Sequence, residues 1–301
     1  YSVTAETTAI SNSDAFRTPI ALFENYNDTK AVELAKFINR TTDILPAGST
    51  VQLRSQNSEY PFDYTLVTPL NPGDSIEVQD IISSTMLVAV KGKVYMTRDA
   101  LIFNEVARWW QIGTITGIPN ALSISADGDV AYVGTIEGKF YKATGLTDAV
   151  TELAALGAEA IQGVDGTDSI AAVPSVVSFE ELADATAAFN GQAITSIAIN
   201  PNDANDVIVT LGNYGNENYV FRSNNGGTSF SAKQGDLAAK PVYASLIEKT
   251  EGKVFVGTED GIFVSDDMNT WTNAGVAGVP VMDIKQQLQA NHDNAYVYLV
   301  N

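Results

Sequence analysis

The side chains of this chain rule out thiol and multi-imidazole chemistry. Its 301 residues include no Cys and one His, His292, against 36 Asp plus Glu. Thiol nucleophiles, disulfides and thiolate metal sites are therefore excluded. A multi-His metal site cannot form, and a Ser-His-Asp triad would have to use His292. That residue lies among Asn291, Asp293 and Asn294 and reads as a surface turn residue. What remains is a carboxylate pair, an acid and a base or nucleophile placed roughly 5–9.5 Å apart across a glycosidic bond. No pair stands out among so many acids, so no catalytic residue is assigned. Trp109, Trp110 and Tyr60 are candidate stacking platforms for sugars. The Trp109-Trp110 pair reads first as an outer strand with one side in the core. Asp127-Gly-Asp129, Asp165–Asp168 and Asn202–Asp206 are oxygen-rich and raise Ca²⁺ as a ligand. None has the spacing of a calcium loop, so they read as hairpin turns, and no metal or cofactor is expected. Asn27-Asp-Thr29 and Asn39-Arg-Thr41 fit the glycosylation acceptor pattern, which matters only in a secretory pathway.

The charge balance narrows the partners. The net charge is −19 and only 17 residues are Lys or Arg. Nucleic acid and anionic membrane surfaces need a basic face, so neither is expected. No apolar run approaches the ~18 residues of a membrane span. Hydrophobic residues make up 45% of the chain and charged residues 18%, a globular composition with enough apolar surface for a sizeable core. The sequence opens on Tyr1 without a signal peptide, and the reading is a processed product or a piece of a longer protein.

Such residues need a scaffold, and the patterning is that of strands. Short apolar or alternating runs punctuated by Gly, Asn, Asp and Pro predict strands. They fall at Ile20–Phe23, Thr50–Arg54, Tyr64–Thr68, Thr85–Val90, Val94–Thr97, Val130–Gly134, Ile194–Ile199, Val207–Leu211, Val242–Ile247, Lys253–Val256, Gly261–Ser265 and Ala295–Val300. Two hairpins are near copies: Val130-Ala-Tyr-Val-Gly-Thr-Ile-Glu-Gly-Lys-Phe-Tyr-Lys142 and Lys253-Val-Phe-Val-Gly-Thr-Glu-Asp-Gly-Ile-Phe-Val-Ser265. Related hairpins occur at Met86–Thr97 and Val207–Ser223. Their second strands end at Thr97, Lys142, Ser223 and Ser265, with spacings of 45, 81 and 42. A unit of 40–45 residues is the length of a four-stranded propeller blade, with one unit lacking a clear match. The expected fold is all-β: one domain over residues 1–301, a β-propeller of about six to seven four-stranded blades, or five and a partial one if residues 1–75 and 147–190 take up chain without adding blades. Residues 1–75 are expected to form an irregular N-terminal blade region. Residues 147–190 are expected to be an elaborated blade or insertion, because Glu152-Leu-Ala-Ala-Leu and Phe179–Phe189 are rich in helix formers. Ala31–Ile38 fits either helix or strand. If the ring is complete, Ala295–Val300 should close it against the N-terminal third, since open sheet edges are avoided.

One motif sharpens this. Ser223-Asn-Asn-Gly-Gly-Thr-Ser-Phe230 resembles the Asp-box, Ser-x-Asp-x-Gly-x-Thr-Trp, with Asn225, Gly227, Ser229 and Phe230 at its marked positions. Ser265-Asp-Asp-Met-Asn-Thr-Trp271, with Asp267 and Thr270, is a copy one residue short. Thr97-Arg-Asp-Ala-Leu-Ile-Phe103 is a weak third. The Asx side chain of such a turn accepts backbone N–H bonds, glycine supplies positive φ and the aromatic packs between sheets. The box is thus a structural staple and not a catalytic device. The chain resembles the Asp-box (BNR-like) β-propellers, which include sialidases, xyloglucanases, sortilin-type receptors and photosystem assembly factors, and reads as a degenerate, bacterial, secreted or surface member.

Phe16-Arg-Thr-Pro19 is similar to the Phe/Tyr-Arg-Ile-Pro motif of sialidases. Such an enzyme needs three substrate-binding Arg, a Tyr–Glu nucleophile pair and an acid/base Asp. Of the six Arg here (Arg17, Arg40, Arg54, Arg98, Arg108 and Arg222), Arg98 and Arg222 sit beside the Asp-box turns at the outer blade edge, and Arg17 is followed by Asn27-Asp-Thr29 and not by the family's Asp-containing segment. The resemblance implies instead a non-catalytic binding or assembly module, extracellular or at the cell surface. It would present loops on a rigid ring to a protein or glycan partner, or to other domains of the same protein. The alternatives are a polysaccharide-active glycoside hydrolase using two carboxylates, and a structural component of a virion or appendage.

Overall fold

A computed structural model of the chain describes residues 18–103, 106–150, 176–286 and 297–300. The expected features at Arg17, Glu152–Leu156, Asp165–Asp168 and His292 lie outside the described residues. The structure is almost wholly β. Strands β1 (Ile20–Asn25), β6 (Ser83–Val90), β7 (Lys93–Thr97) and β8 (Trp110–Thr114) form the first sheet, in that order. The second runs β9 (Pro119–Ile124), β10 (Ala131–Thr135), β11 (Phe140–Thr144) and β12 (Ser178–Glu181). The third is β13 (Ile194–Asn200), β14 (Asp203–Leu211), β15 (Val220–Ser223) and β16 (Ser231–Ala232). The fourth is β17 (Val242–Ile247), β18 (Val254–Thr258), β19 (Gly261–Ser265) and β20 (Thr272–Ala277), and a two-stranded fifth pairs β21 (Asp283–Gln286) with β22 (Val297–Val300). Every pairing is antiparallel.

The first strands β1, β9, β13, β17 and β21 contact one another in succession, so the sheets radiate from a common axis. This is a β-propeller, each sheet a blade whose strands step outward from the axis. Blades pack face to face through apolar residues. Leu87, Met96 and Trp110 of the first blade meet Val133, Tyr141 and Ala143 of the second. A larger core joins the second, third and fourth, including Phe140, Ile194, Val209 and Val256. Ala244 and Ile262 of the fourth blade meet Ile284 of the fifth. Because a middle strand is covered on both faces, it reads as a continuous apolar run: all of Ala131–Thr135 is buried.

The repeated Val-Gly-Thr now has a physical reason. A Cβ on Gly134 would lie 2.4 Å from the Ile194 side chain, and one on Gly257 would lie 2.5 Å from the Val281 carbonyl. Glycine is required where the next blade's first strand crosses close by. The following threonine closes the tight turn: Thr258 Oγ1 donates to Gly261 O at 3.1 Å and accepts from Asp260 N–H at 3.1 Å.

The described blades number four of four strands and one of two, where length alone predicts six to seven. Two segments take up the difference. Residues 26–82 leave the first blade between β1 and β6 and build a body of their own. In it β2 (Leu34–Ile38) pairs with β5 (Ser75–Gln79), and β3 (Thr50–Arg54) with β4 (Pro61–Thr65), around Leu53, Phe62, Leu66 and Leu70. Ala31–Ile38, ambiguous in sequence, therefore contributes a strand. The 81-residue gap in the repeat contains no extra sheet among the described residues. It is spent on the connection from β11 to β12 and on the short helix α1 (Ala183–Ala188). Strand β22 pairs with β21, Asp283 opposite Val300, and among the described residues it has no pairing with the N-terminal third.

Candidate functional site

Strand direction defines two ends of the ring. First and third strands of each blade run the same way, so the turns after them share one end. That end carries the inserted body after Asn25 and the Ser223–Phe230 and Ser265–Trp271 turns. The other end carries the starts of the first strands.

At the turn-bearing end, Asn225 Oδ1 accepts from Ser229 N–H at 3.0 Å, and Ser223 Oγ accepts from Gly227 N–H at 2.9 Å. Asp267 Oδ1 accepts from Asn269 and Thr270 N–H at 2.8 and 3.0 Å, and Ser265 Oγ donates to Thr270 O at 2.6 Å. Those backbone bonds pull the Asp267 carboxyl down to about 2. Phe230 packs against Phe140 and Phe189, with ring centroids 5.4 and 5.0 Å away, and Trp271 is buried in the same core. The third stretch differs. Asp99 binds Arg108, with Oδ2 accepting from its Nε at 2.7 Å, and Phe103 is 60% exposed.

The inserted body is locked to the first blade through a buried polar junction. Arg98 Nη2 donates to Asp28 Oδ2 at 2.9 Å, with the two side chains 7% and 9% exposed. Ser83 Oγ donates to the same oxygen at 2.5 Å. Asn57 Oδ1 accepts from Ser84 Oγ of the blade at 2.9 Å, and within the body Asp80 Oδ2 accepts from Ser55 Oγ and Gln56 N–H at 2.8 Å each while Asn57 Nδ2 donates to Ile82 O at 3.0 Å. Ser58 N–H reaches Leu101 O at 2.7 Å. On the second blade, Lys30 pairs with Asp148. Multiple bonds to two blades hold the body in one orientation.

The opposite end opens into an axial funnel of about 310 Å³, to which all five blades contribute. Two polar side chains of its wall tie one first strand to the next: Asn120 Nδ2 donates to Ile194 O at 2.7 Å, and Thr195 Oγ1 to Val242 O at 2.5 Å. Ser196 and Ser245 share a hydroxyl bond of 2.9 Å. Lys285 pairs with Asp283 at 3.3 Å, and Asp283 is the single carboxylate among the described lining residues. Tyr243 also lines the funnel. On the rim Tyr214, 69% exposed, donates to Glu259, and this bond, with a second to Tyr243, pushes its phenol well above the ordinary range. Lys240 sits between Asp260 at 2.7 Å and Glu259 at 3.2 Å.

The other residues singled out in the sequence are not gathered at either site. Trp110 is buried in β8 and Tyr60 packs edge-on against Tyr26 at 4.6 Å. Arg222 is bidentate to Asp206, both bonds 2.7 Å. Asp127 and Asp129 turn their oxygens onto local partners, Asp129 Oδ1 accepting from Thr147 Oγ1 at 2.7 Å. Among the described residues no group of three or more His, Asp or Glu is placed to hold a metal ion. Asn39 is fully buried, its Nδ2 donating to Asp43 O and Leu70 O, whereas Asn27 is exposed. The funnel residues have a sequence signal that motif reading passes over. Asn120, Thr195 and Tyr243 each occupy the second position of a first strand, directly after Pro119, Ile194 and Val242, and Met282 immediately precedes β21.

No protein-family model matches the chain, and no curated protein matches it. Solved structures of similar arrangement include a GH74 enzyme from Niastella koreensis (15% identity, TM-score 0.41, 77% of this chain and 37% of that one). Another is Sqt1 from Chaetomium thermophilum bound to the N-terminus of the ribosomal protein L10 (15%, 0.43, 80% and 63%). A third is the GH74 xyloglucanase from Xanthomonas campestris (18%, 0.35, 61% and 27%). The chain spans less than two thirds of the length of each.

Proposed function

We propose that this chain is a non-catalytic binding or assembly module of the Asp-box propeller type, secreted or displayed at a surface. It needs no cofactor and uses the rigid ring to hold the inserted body towards a protein or glycan partner. The observation that carries this reading is the junction at Asp28, Arg98, Ser83, Asn57 and Ser84. A body tied down by a buried ion pair and side-chain hydrogen bonds keeps its orientation relative to the ring, and a fixed orientation lowers the entropic cost of binding. A funnel with one described carboxylate, already paired to Lys285, is a poor match to two-carboxylate hydrolysis.

Asn25 and Ser83 are paired residues of β1 and β6, so a two-residue Asn-Gly turn can replace residues 26–82. Arg98→Met is added because its partner leaves with the insertion. The ring variant is expected to fold, with the Trp fluorescence of the full chain, and to lose the partners that the full chain cross-links in its native source. Partners retained in full by the ring variant would refute the reading. So would hydrolysis of any polysaccharide that is abolished by changing one Asp or Glu.

A further inference from the structure

We infer that the axial funnel is a binding site for a neutral, hydroxyl-rich ligand, a single sugar unit either free or at the end of a glycan. The site lies at the end of the ring away from the inserted body, so the inference is separate from the function proposed above. Three features carry it. The first is charge. The chain carries −19 overall, yet the two charged residues among the described lining of this opening, Asp283 and Lys285, pair with each other at 3.3 Å. A charged ligand finds no unpaired counter-charge among the described lining residues to offset the hydration it loses, and a neutral polar ligand needs none.

The second feature is the alternation of the wall. Hydroxyls and an amide (Thr18, Asn120, Thr195, Ser196 and the Tyr243 phenol) sit beside Pro19, Ile20, Leu122, Ile197 and Met282. Sugar rings present the same combination, with hydroxyls at the edge and C–H groups on the faces. At about 310 Å³ the opening falls at the lower end of the roughly 300–1,000 Å³ range of ligand pockets, which suits one unit and not an extended chain. The third feature is preorganisation. Asn120 and Thr195 are held by bonds to neighbouring strands, and Tyr214 is pinned by Glu259 with its ring exposed on the rim. Fixed polar groups and a fixed amphipathic ring face lower the ordering cost of binding.

The test is titration calorimetry with neutral monosaccharides, together with an array of neutral, anionic and cationic glycans and a set of basic and acidic peptides. The proteins are the full chain, Tyr243→Phe and Ile20→Trp. Ile20 is a half-exposed lining residue, so the indole fills the opening without touching the hydroxyls, and thermal melting checks that both variants fold. The expected result is saturable binding of at least one neutral sugar, weakened tenfold or more by Ile20→Trp and measurably by Tyr243→Phe. Binding of the monosaccharide identifies a free sugar, and binding only on the array identifies a glycan terminus. No saturable binding of any neutral sugar, binding unchanged in Ile20→Trp, or preference for a charged glycan or a peptide would each overturn the inference. The variant lacking residues 26–82 should bind the sugar as the full chain does, so the two proposals fail independently.

Discussion

Replacing Asp28 with Ala should be among the most damaging single changes in the junction. The Asp28 and Arg98 side chains are 9% and 7% exposed and meet at 2.9 Å. Arg98 Nη1 has a further partner in Thr85 Oγ1 at 3.2 Å, while its Nε has none. Removing the carboxylate leaves a buried guanidinium without its counter-charge, which costs about 3–5 kcal/mol. Taking away both charges in Asp28→Ala/Arg98→Met removes the uncompensated ion and should recover most of that loss. The double-mutant cycle should therefore show a coupling of about 2–4 kcal/mol. Urea unfolding followed by two probes is the assay. All three Trp, 109, 110 and 271, belong to the ring, so fluorescence reports the ring, whereas far-UV circular dichroism reports both bodies. In Asp28→Ala the dichroism transition should begin at lower urea than the fluorescence transition, because the inserted body loosens first. A loss below about 1 kcal/mol in the single variant, with no recovery in the double, would show that this pair does not behave as a buried one and would remove the main support for a locked insertion.

Two further predictions concern the turn-bearing end. Asp267, pulled down to about 2 in the folded chain by the N–H groups of Asn269 and Thr270, is a depressed acid. Its contribution is present above its unfolded value near 4 and is lost as pH falls through the folded value. Asp267→Asn, which copies the Asn225 turn, should flatten the fall in melting temperature between about pH 4 and 2, and an unchanged acid profile would contradict the assigned bonds. Gly227 has φ +83°, and a Cβ there would lie 2.9 Å from both Leu182 and Phe140. Gly227→Ala combines left-handed strain with overpacking and should cost about 2–3 kcal/mol, measured by denaturant midpoint. A cost as small as the ~1 kcal/mol or less of an ordinary surface change would show that the turn relaxes freely.

Much of the ring was legible because blades repeat. Thr50–Arg54, Val242–Ile247 and Gly261–Ser265 were marked as strands by alternation or apolar runs, and they are strands with those limits. Ser223, Asn225 and Gly227 fall in a turn between third and fourth strands, where local side-chain bonds suffice to determine structure. The sequence left the blade number open between six to seven and five with a partial one, because chain length does not say how many residues an insertion consumes. Residues 26–82 look irregular in sequence because their core is their own, built from Leu53, Phe62 and Leu66, and follows no blade pattern. Trp109-Trp110 and Tyr60 drew attention as sugar platforms because aromatic side chains look alike in sequence whether packed or exposed. The exposed ring at the funnel is Tyr214, in a loop with no motif.

By itself the sequence determined the absence of thiol and multi-His chemistry, the acidic surface, the strand-rich architecture and the tight turns, since these depend on composition or on residues a few positions apart. Only the tertiary structure decided that Asp28 meets Arg98 across 70 positions, that Asn120 bonds Ile194 across 74, and that all five first strands share one funnel. The reason is physical. Local signals act through neighbouring backbone bonds, whereas the junction and the funnel arise when separate blades pack and bring distant polar groups within hydrogen-bonding distance.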